Sequence, residues 1–182
     1  MQVSKYEDIF LSRIDEIRKC LNADLYLAAL CLALTLPDIC GKAAYPTKKT
    51  GDRYKQWFDS NMDDYKKSES PYSEDIPFLS GEVIYQLRCS FLHVGNPNIE
   101  RDRITASENK IDNFELVLET QFSGDTSGVA YGDGTSVRRS YRLDVKLLCN
   151  RLCRVAEKYY NENKEKFDFF QYCIYESDFN LF

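Results

Sequence analysis

The stretch from Leu25 to Leu36 reads LYLAALCLALTL, twelve residues without a charged side chain. A helix of that composition has no polar stripe to turn toward water, so it belongs in the middle of a packed group of helices. Bilayer spans need about 20 apolar residues, so the run is too short for one and no membrane association is expected. Pro37 and Gly41 are expected to end it. The rest of the chain has to be arranged around this element.

The flanking segments carry helix periodicity. Tyr6, Ile9, Phe10, Ile14, Ile17 and Leu21 recur every three or four residues, predicting an amphipathic helix from Lys5 to Leu21 with Ser4 as its cap and Asp8 in its first turn. Tyr54, Trp57 and Phe58 predict another helix over 52–62. Residues 63–77, charged, Ser-rich and containing two prolines, read as a mobile loop. A further helix is expected from Gly81 to Val94, capped by Ser80 and stopped by Gly95 and Pro97. Val145, Leu148, Leu152, Val155, Ala156 and Tyr159 predict a long closing helix over 144–164.

Between the last two helices the pattern changes. Phe114, Leu116 and Leu118 alternate with Glu115, Val117 and Glu119, which predicts a strand, and 137–143 offers a second extended run. The segment SGDTSGVAYGDGTS between them reads as turns, so 111–143 is expected to be an inserted β-hairpin. The tail from Phe167 to Phe182 is too aromatic for a free linker and is expected to dock on the body. The fold class is therefore mainly α, a helical bundle with a small β-hairpin before the last long helix. The 182 residues suffice for one domain, 1–182.

Composition narrows the chemistry. A net charge of −5 argues against a basic nucleic-acid coat, leaving only local basic patches as nucleic-acid contacts. Seven cysteines form no CxxC pair and one histidine cannot complete a Cys/His set, so no structural zinc and no cofactor are expected. An odd number of thiols, several in apolar helical patterns, suits a reducing compartment. MQVSKYEDIF shows no secretory signal, so the expected location is cytoplasmic. Asp15 with Glu16, and Asp63 with Asp64, read as surface acids, and Cys149 and Cys153 as packed thiols.

The single histidine, His93, ends the predicted helix LRCSFLHVG, five residues after Arg88. Taking about 100° per residue, Val83, Ile84, Leu87, Phe91 and Val94 form a core stripe. Arg88 and His93 lie off it, about 140° apart, on either side of a seam of Tyr85, Cys89 and Leu92. On that geometry the pair diverges; in a monomer the second face would meet another helix of the bundle, and only in a dimer would a two-fold mate bring two copies of each residue to one cleft and complete a site. A histidine at the negative end of a helix dipole is a proton shuttle, and an arginine can fork onto a phosphorane. Packing or capping is the competing role for both residues.

On Arg88-Cys-Ser-Phe-Leu-His93, preceded by IYQL and followed by Gly and Pro, the sequence resembles the HEPN superfamily, whose hallmark is an arginine followed four to six residues later by a histidine late in a helical bundle. The wording LRCSFLHVG is similar to that of uncharacterised bacterial HEPN-like proteins. The resemblance implies an up-down bundle and a homodimeric, metal-independent endoribonuclease of toxin–antitoxin, phage-defence or RNA-processing type. Arg88 would stabilise the phosphorane, His93 would transfer protons, and Tyr85, Cys89 and Leu92 would form the dimer interface. An RNA substrate and a cognate antitoxin or partner protein would follow. Cys89 stands where active members commonly carry a polar residue, and the resemblance equally admits a catalytically inactive dimerisation or interaction module. Lys48, Lys49 and Arg53, with Arg101 and Arg103, are the expected contacts to an RNA backbone.

Overall fold

The computed structural model describes residues 8–67, 76–95, 111–118, 124–131 and 137–170. Helix α1 (Ile9–Asn22) buries Phe10, Ile14 and Ile17, the stripe its spacing predicts. Its cap is Asp8, whose carboxylate accepts from the Leu11 amide at 3.1 Å. The expected cap, Ser4, lies outside the described residues.

The apolar run divides. Helix α2 (Tyr26–Ala33) stops at Leu34 and α3 (Leu36–Ala44) begins, with Pro37 in its first turn. Proline has no N–H to return to the carbonyl four residues back, but it suits a helix start, so Pro37 opens α3 where it was expected to close α2. The Leu34 carbonyl, at the break, accepts instead from the buried Tyr54 hydroxyl at 3.1 Å. Gly41 is also an interior residue: a Cβ there would come within 2.8 Å of the Arg53 carbonyl oxygen, and its absence lets α3 press against α4 (Thr50–Asn61). The stretch Tyr26–Ala44 is long and apolar enough by composition to cross a membrane, yet more than half of its most apolar window is buried inside the fold.

A 3-10 turn at Asp63–Tyr65 follows α4 and buries Tyr65, so the segment expected to be a mobile loop begins by packing on the core. Helix α5 (Gly81–Val94) has the expected limits. Ser80 caps it, accepting from the Val83 amide at 3.3 Å, and Asp59 of α4 accepts from the Gly81 amide at 2.6 Å. Gly95 closes it with a φ of +69°, and its N–H reaches the Phe91 carbonyl.

Three strands follow, β1 (Asn113–Val117), β2 (Thr126–Tyr131) and β3 (Val137–Asp144), in the order β1-β3-β2. Both expected extended runs are strands. The turn-rich segment between them also contains one, β2, which makes the antiparallel hairpin with β3, while β1 pairs parallel to β3. A parallel pair needs a connection of a dozen or more residues, and the segment holding β2 provides that length. Phe114 and Tyr141, paired in register, stack at 6.1 Å and are buried with Leu143.

Helix α6 (Val145–Glu162), capped by Asp144, buries Leu148, Cys149, Leu152, Cys153 and Ala156 against α1, α2 and α3. Phe167 is buried and Phe170 half-buried, both against Phe10 of α1. The tail therefore docks as far as residue 170, and its remainder lies outside the described residues. The described cysteines are all free thiols, and burial pushes Cys153 up to about 12.

Candidate functional site

Position 88 projects from the middle of α5 toward the first turn of α3. The Arg88 Nη2 donates to Asp38 Oδ2 at 3.0 Å, and both side chains are about four-fifths buried. Nη1 of the same guanidinium meets His93 Nε2 at 3.1 Å. Arginine can only donate, so the imidazole nitrogen facing it is the acceptor and the ring proton of that neutral tautomer sits on Nδ1.

Arg88 and His93 therefore converge within one chain, where the helical wheel has them diverging. The wheel records where side chains leave the backbone, not where they end. Side chains on a helix lean toward its N-terminus, which tips the ring of His93 over the preceding turn, and the flexible arginine stem covers the remaining distance. His93 is exposed and Gly95 takes the last-turn carbonyl of Phe91, so the helix end does not depend on the imidazole.

Two atoms beneath this surface are buried without a hydrogen-bond partner among the described residues, Asp38 Oδ1 and Arg88 Nε. The pair thus trades water for a single charge-assisted bond. Burial works against the Arg88 charge, but the Asp38 carboxylate together with neighbouring Cys89 and Tyr54 outweighs it and raises its pKa. The guanidinium is a fixed cation.

Asp38 is the residue sequence reasoning missed. Once Pro37 is taken as a helix stop, Asp38 falls into a connection. The Pro-Asp pair is equally a helix start, proline first and an acid in the first turn, and that signal would have placed it. Below the pair, the fully buried Tyr54 ties α4 to the α2–α3 break and so fixes where Asp38 begins.

The seam residues fall on the same flank of α5. Tyr85, Cys89 and Leu92 are all half-buried. Tyr85 also packs within its own chain, tilted against Tyr54 at 5.3 Å and against Gly51, where a Cβ would stand 3.1 Å from its ring. Gly51 thereby sets the N-terminal turn of α4, with its basic residues, alongside α5 one turn before Arg88.

Of the expected backbone contacts, Lys48 and Lys49 are exposed at that end of α4. Lys48 hydrogen-bonds the Gln56 side chain and lies 5.3 Å over the Tyr45 ring. Arg53 is half-buried, with its Nε buried and lacking a hydrogen-bond partner among the described residues. Arg101 and Arg103 lie outside the described residues. Lys55, the next cation along α4, is committed to Glu82 of α5 at 2.9 Å. Among the described residues no group of three His, Cys, Asp or Glu side chains is placed to hold a metal ion.

The arrangement offers a fixed cation beside an accessible imidazole, with two exposed lysines just before the start of the neighbouring helix α4. No known protein family, no curated protein and no solved structure matches this chain significantly.

Proposed function

We propose that the chain is a HEPN-type endoribonuclease that cleaves RNA without a metal ion through Arg88 and His93. The observation that supports this most strongly is the Asp38–Arg88–His93 contact: a largely buried carboxylate holds the guanidinium so that its other amine meets the only histidine, at the surface.

Resting Nε2 is occupied by Arg88. A scissile phosphate drawn to the guanidinium takes over Nη1 and releases Nε2, which then accepts the proton of the adjacent 2′-hydroxyl. The 2′-oxygen forms a bond to phosphorus, the bond from phosphorus to the 5′-oxygen breaks, and that oxygen takes a proton from the imidazolium. The products are a 2′,3′-cyclic phosphate and a 5′-hydroxyl. Arg88 holds the negative charge that builds on the phosphorane oxygens. Lys48 and Lys49 would steer the strand.

On this reading the protein acts as a homodimer in a toxin, defence or RNA-processing setting. Since Arg88 and His93 already meet in one chain, a second copy on the Tyr85, Cys89 and Leu92 flank serves to wall the cleft, not to assemble the pair. A second reading draws on the same ion pair. Asp38 already neutralises Arg88, as it would in a catalytically silent HEPN-like interaction module.

Product analysis separates the two. The nuclease reading expects RNA incubated with the protein in excess chelator to yield 2′,3′-cyclic phosphate ends. Intact RNA across varied sequences would favour the silent module.

A further inference from the structure

The Arg88 guanidinium is charged, yet at rest it is already occupied. Asp38 Oδ2 stands 3.0 Å from Nη2, and both side chains are about four-fifths buried, where a charge pair interacts more strongly than in water. His93 Nε2 meets Nη1 at 3.1 Å, and Nε is buried without a hydrogen-bond partner among the described residues. Each nitrogen of the group is thus engaged by the protein or buried.

Asp38 has two effects here, and they are separable. Its oxygen is the acceptor that fixes where the guanidinium points, a task a neutral acceptor in the same place would also perform. Its charge opposes any second anion that approaches Arg88, which a neutral acceptor would not do. The second carboxylate oxygen, Oδ1, is buried and has no hydrogen-bond partner among the described residues, so no donor there draws the negative charge away from the guanidinium.

The compensation recurs on the same pair of helices. Lys55 of α4 is matched by Glu82 of α5 at 2.9 Å. Lys48 differs, since its ammonium meets the neutral Gln56 side chain and the Tyr45 ring. The cation at the centre of the site is therefore the one that carries its own counter-charge. A phosphate arriving at Arg88 has to take over the His93 contact and also approach a carboxylate.

We infer that Asp38 is an autoinhibitory counter-ion of this site: its oxygen positions Arg88, while its charge keeps the guanidinium from retaining a phosphate. Free phosphate and phosphorylated products then leave the site readily instead of filling it. The inference takes from the proposed function only that Arg88 is the group on which phosphate binds. Asp38 acts through Arg88 and touches no substrate, so it is a positioning residue with an added electrostatic task.

Isothermal titration of the full chain with inorganic phosphate, at fixed ionic strength, compares the wild type with Asp38→Asn and Asp38→Ser. Both variants keep an oxygen able to accept from Arg88 and lack the charge, and their unliganded Tm reports whether the fold survives. Having two of them keeps the comparison open if one fails to fold. Each is expected to bind phosphate about tenfold more tightly than the wild type. Adding Arg88→Gln to Asp38→Asn should return the affinity to the wild-type level or below. A purely structural role for Asp38 would lower the Tm and leave phosphate binding no tighter, which would overturn the inference. A gain that persists after Arg88→Gln would overturn it too. RNA cleavage is a separate readout: a protein that leaves RNA intact while Asp38→Asn gains phosphate loses only the nuclease reading, and one that cleaves RNA without that gain loses only this inference.

Discussion

Arg88 of α5 reaches Asp38 of α3 with one amine, at 3.0 Å, and His93 of its own helix with the other, at 3.1 Å. This one side chain joins the element that folds the site to the residue proposed to do its chemistry. Asp38→Ala leaves a largely buried guanidinium without its counter-charge and should destabilise the protein by about 2 kcal/mol. Urea unfolding of Asp38→Ala, Arg88→Ala and the double variant checks this. The double variant should lose clearly less than the sum of the singles, and additive losses would mean that the two groups do not interact.

Tyr54→Phe removes only the hydroxyl that satisfies the Leu34 carbonyl at the α2–α3 break. A buried carbonyl left unmatched costs about 1 to 2 kcal/mol, which a lowered urea midpoint with unchanged slope would report. RNA cleavage should also weaken, because α3 presents Asp38 to Arg88.

The glycines at the two ends of α5, Gly81 in its first turn and Gly95 just past its last, should respond to alanine for different reasons. At Gly81 a Cβ would stand 2.4 Å from the Lys55 carbonyl, so α4 and α5 must separate, at a cost of about 2 kcal/mol or more. Gly95 has open space around it and only its left-handed φ to protect, so Gly95→Ala should cost about 1 kcal/mol and Gly95→Asn less. Thermal unfolding that ranked Gly95→Ala as the worse variant would contradict the packing described.

The Lys55–Glu82 pair makes a prediction about pH. Burial tends to raise the Glu82 pKa, but hydrogen bonds from Lys55 and Gln86 outweigh it and leave it below the usual 4.5. The hydrogen bond to Glu82, working against burial, raises Lys55 above its usual 10.5. An acid with a depressed folded-state pKa contributes fully above its unfolded value, and the contribution disappears as pH falls through the folded one. The base contributes fully below 10.5 and loses this as pH rises. Neighbouring Asp59 runs the other way, since burial raises its pKa and acidification relieves it. Glu82→Gln should therefore flatten the fall in stability below about pH 4.5, read from urea midpoints on either side of that value. An unchanged acid limb would remove Glu82 from it.

Much of this was legible in the residues. The periodicity of Ile14 and Ile17, the Ser80 cap and the Gly95 stop fix α1 and α5 because they act within a few residues of chain. Pro37 was ambiguous, since the same missing N–H ends one helix or begins another, and only the Tyr54 hydroxyl, reaching the Leu34 carbonyl from twenty residues away, shows which. The hairpin partner of β3 was hidden for a similar reason. TSGVAY has weak strand chemistry, and its pairing comes from β3. Arg88 and His93 could be picked out as the pair to examine, but the wheel could not show them meeting. That contact depends on side-chain reach and on Asp38, which arrives from another helix.

The most direct test of the central claim compares cleavage of one RNA, in excess chelator, by the wild type and by His93→Ala. His93 is exposed and its ring does not close its helix, so the variant should fold and assemble as the wild type does. The account predicts a loss of about 100-fold or more in cleavage rate with an unchanged Tm. Wild-type protein that leaves RNA intact, or a variant that cleaves at the wild-type rate, would contradict it.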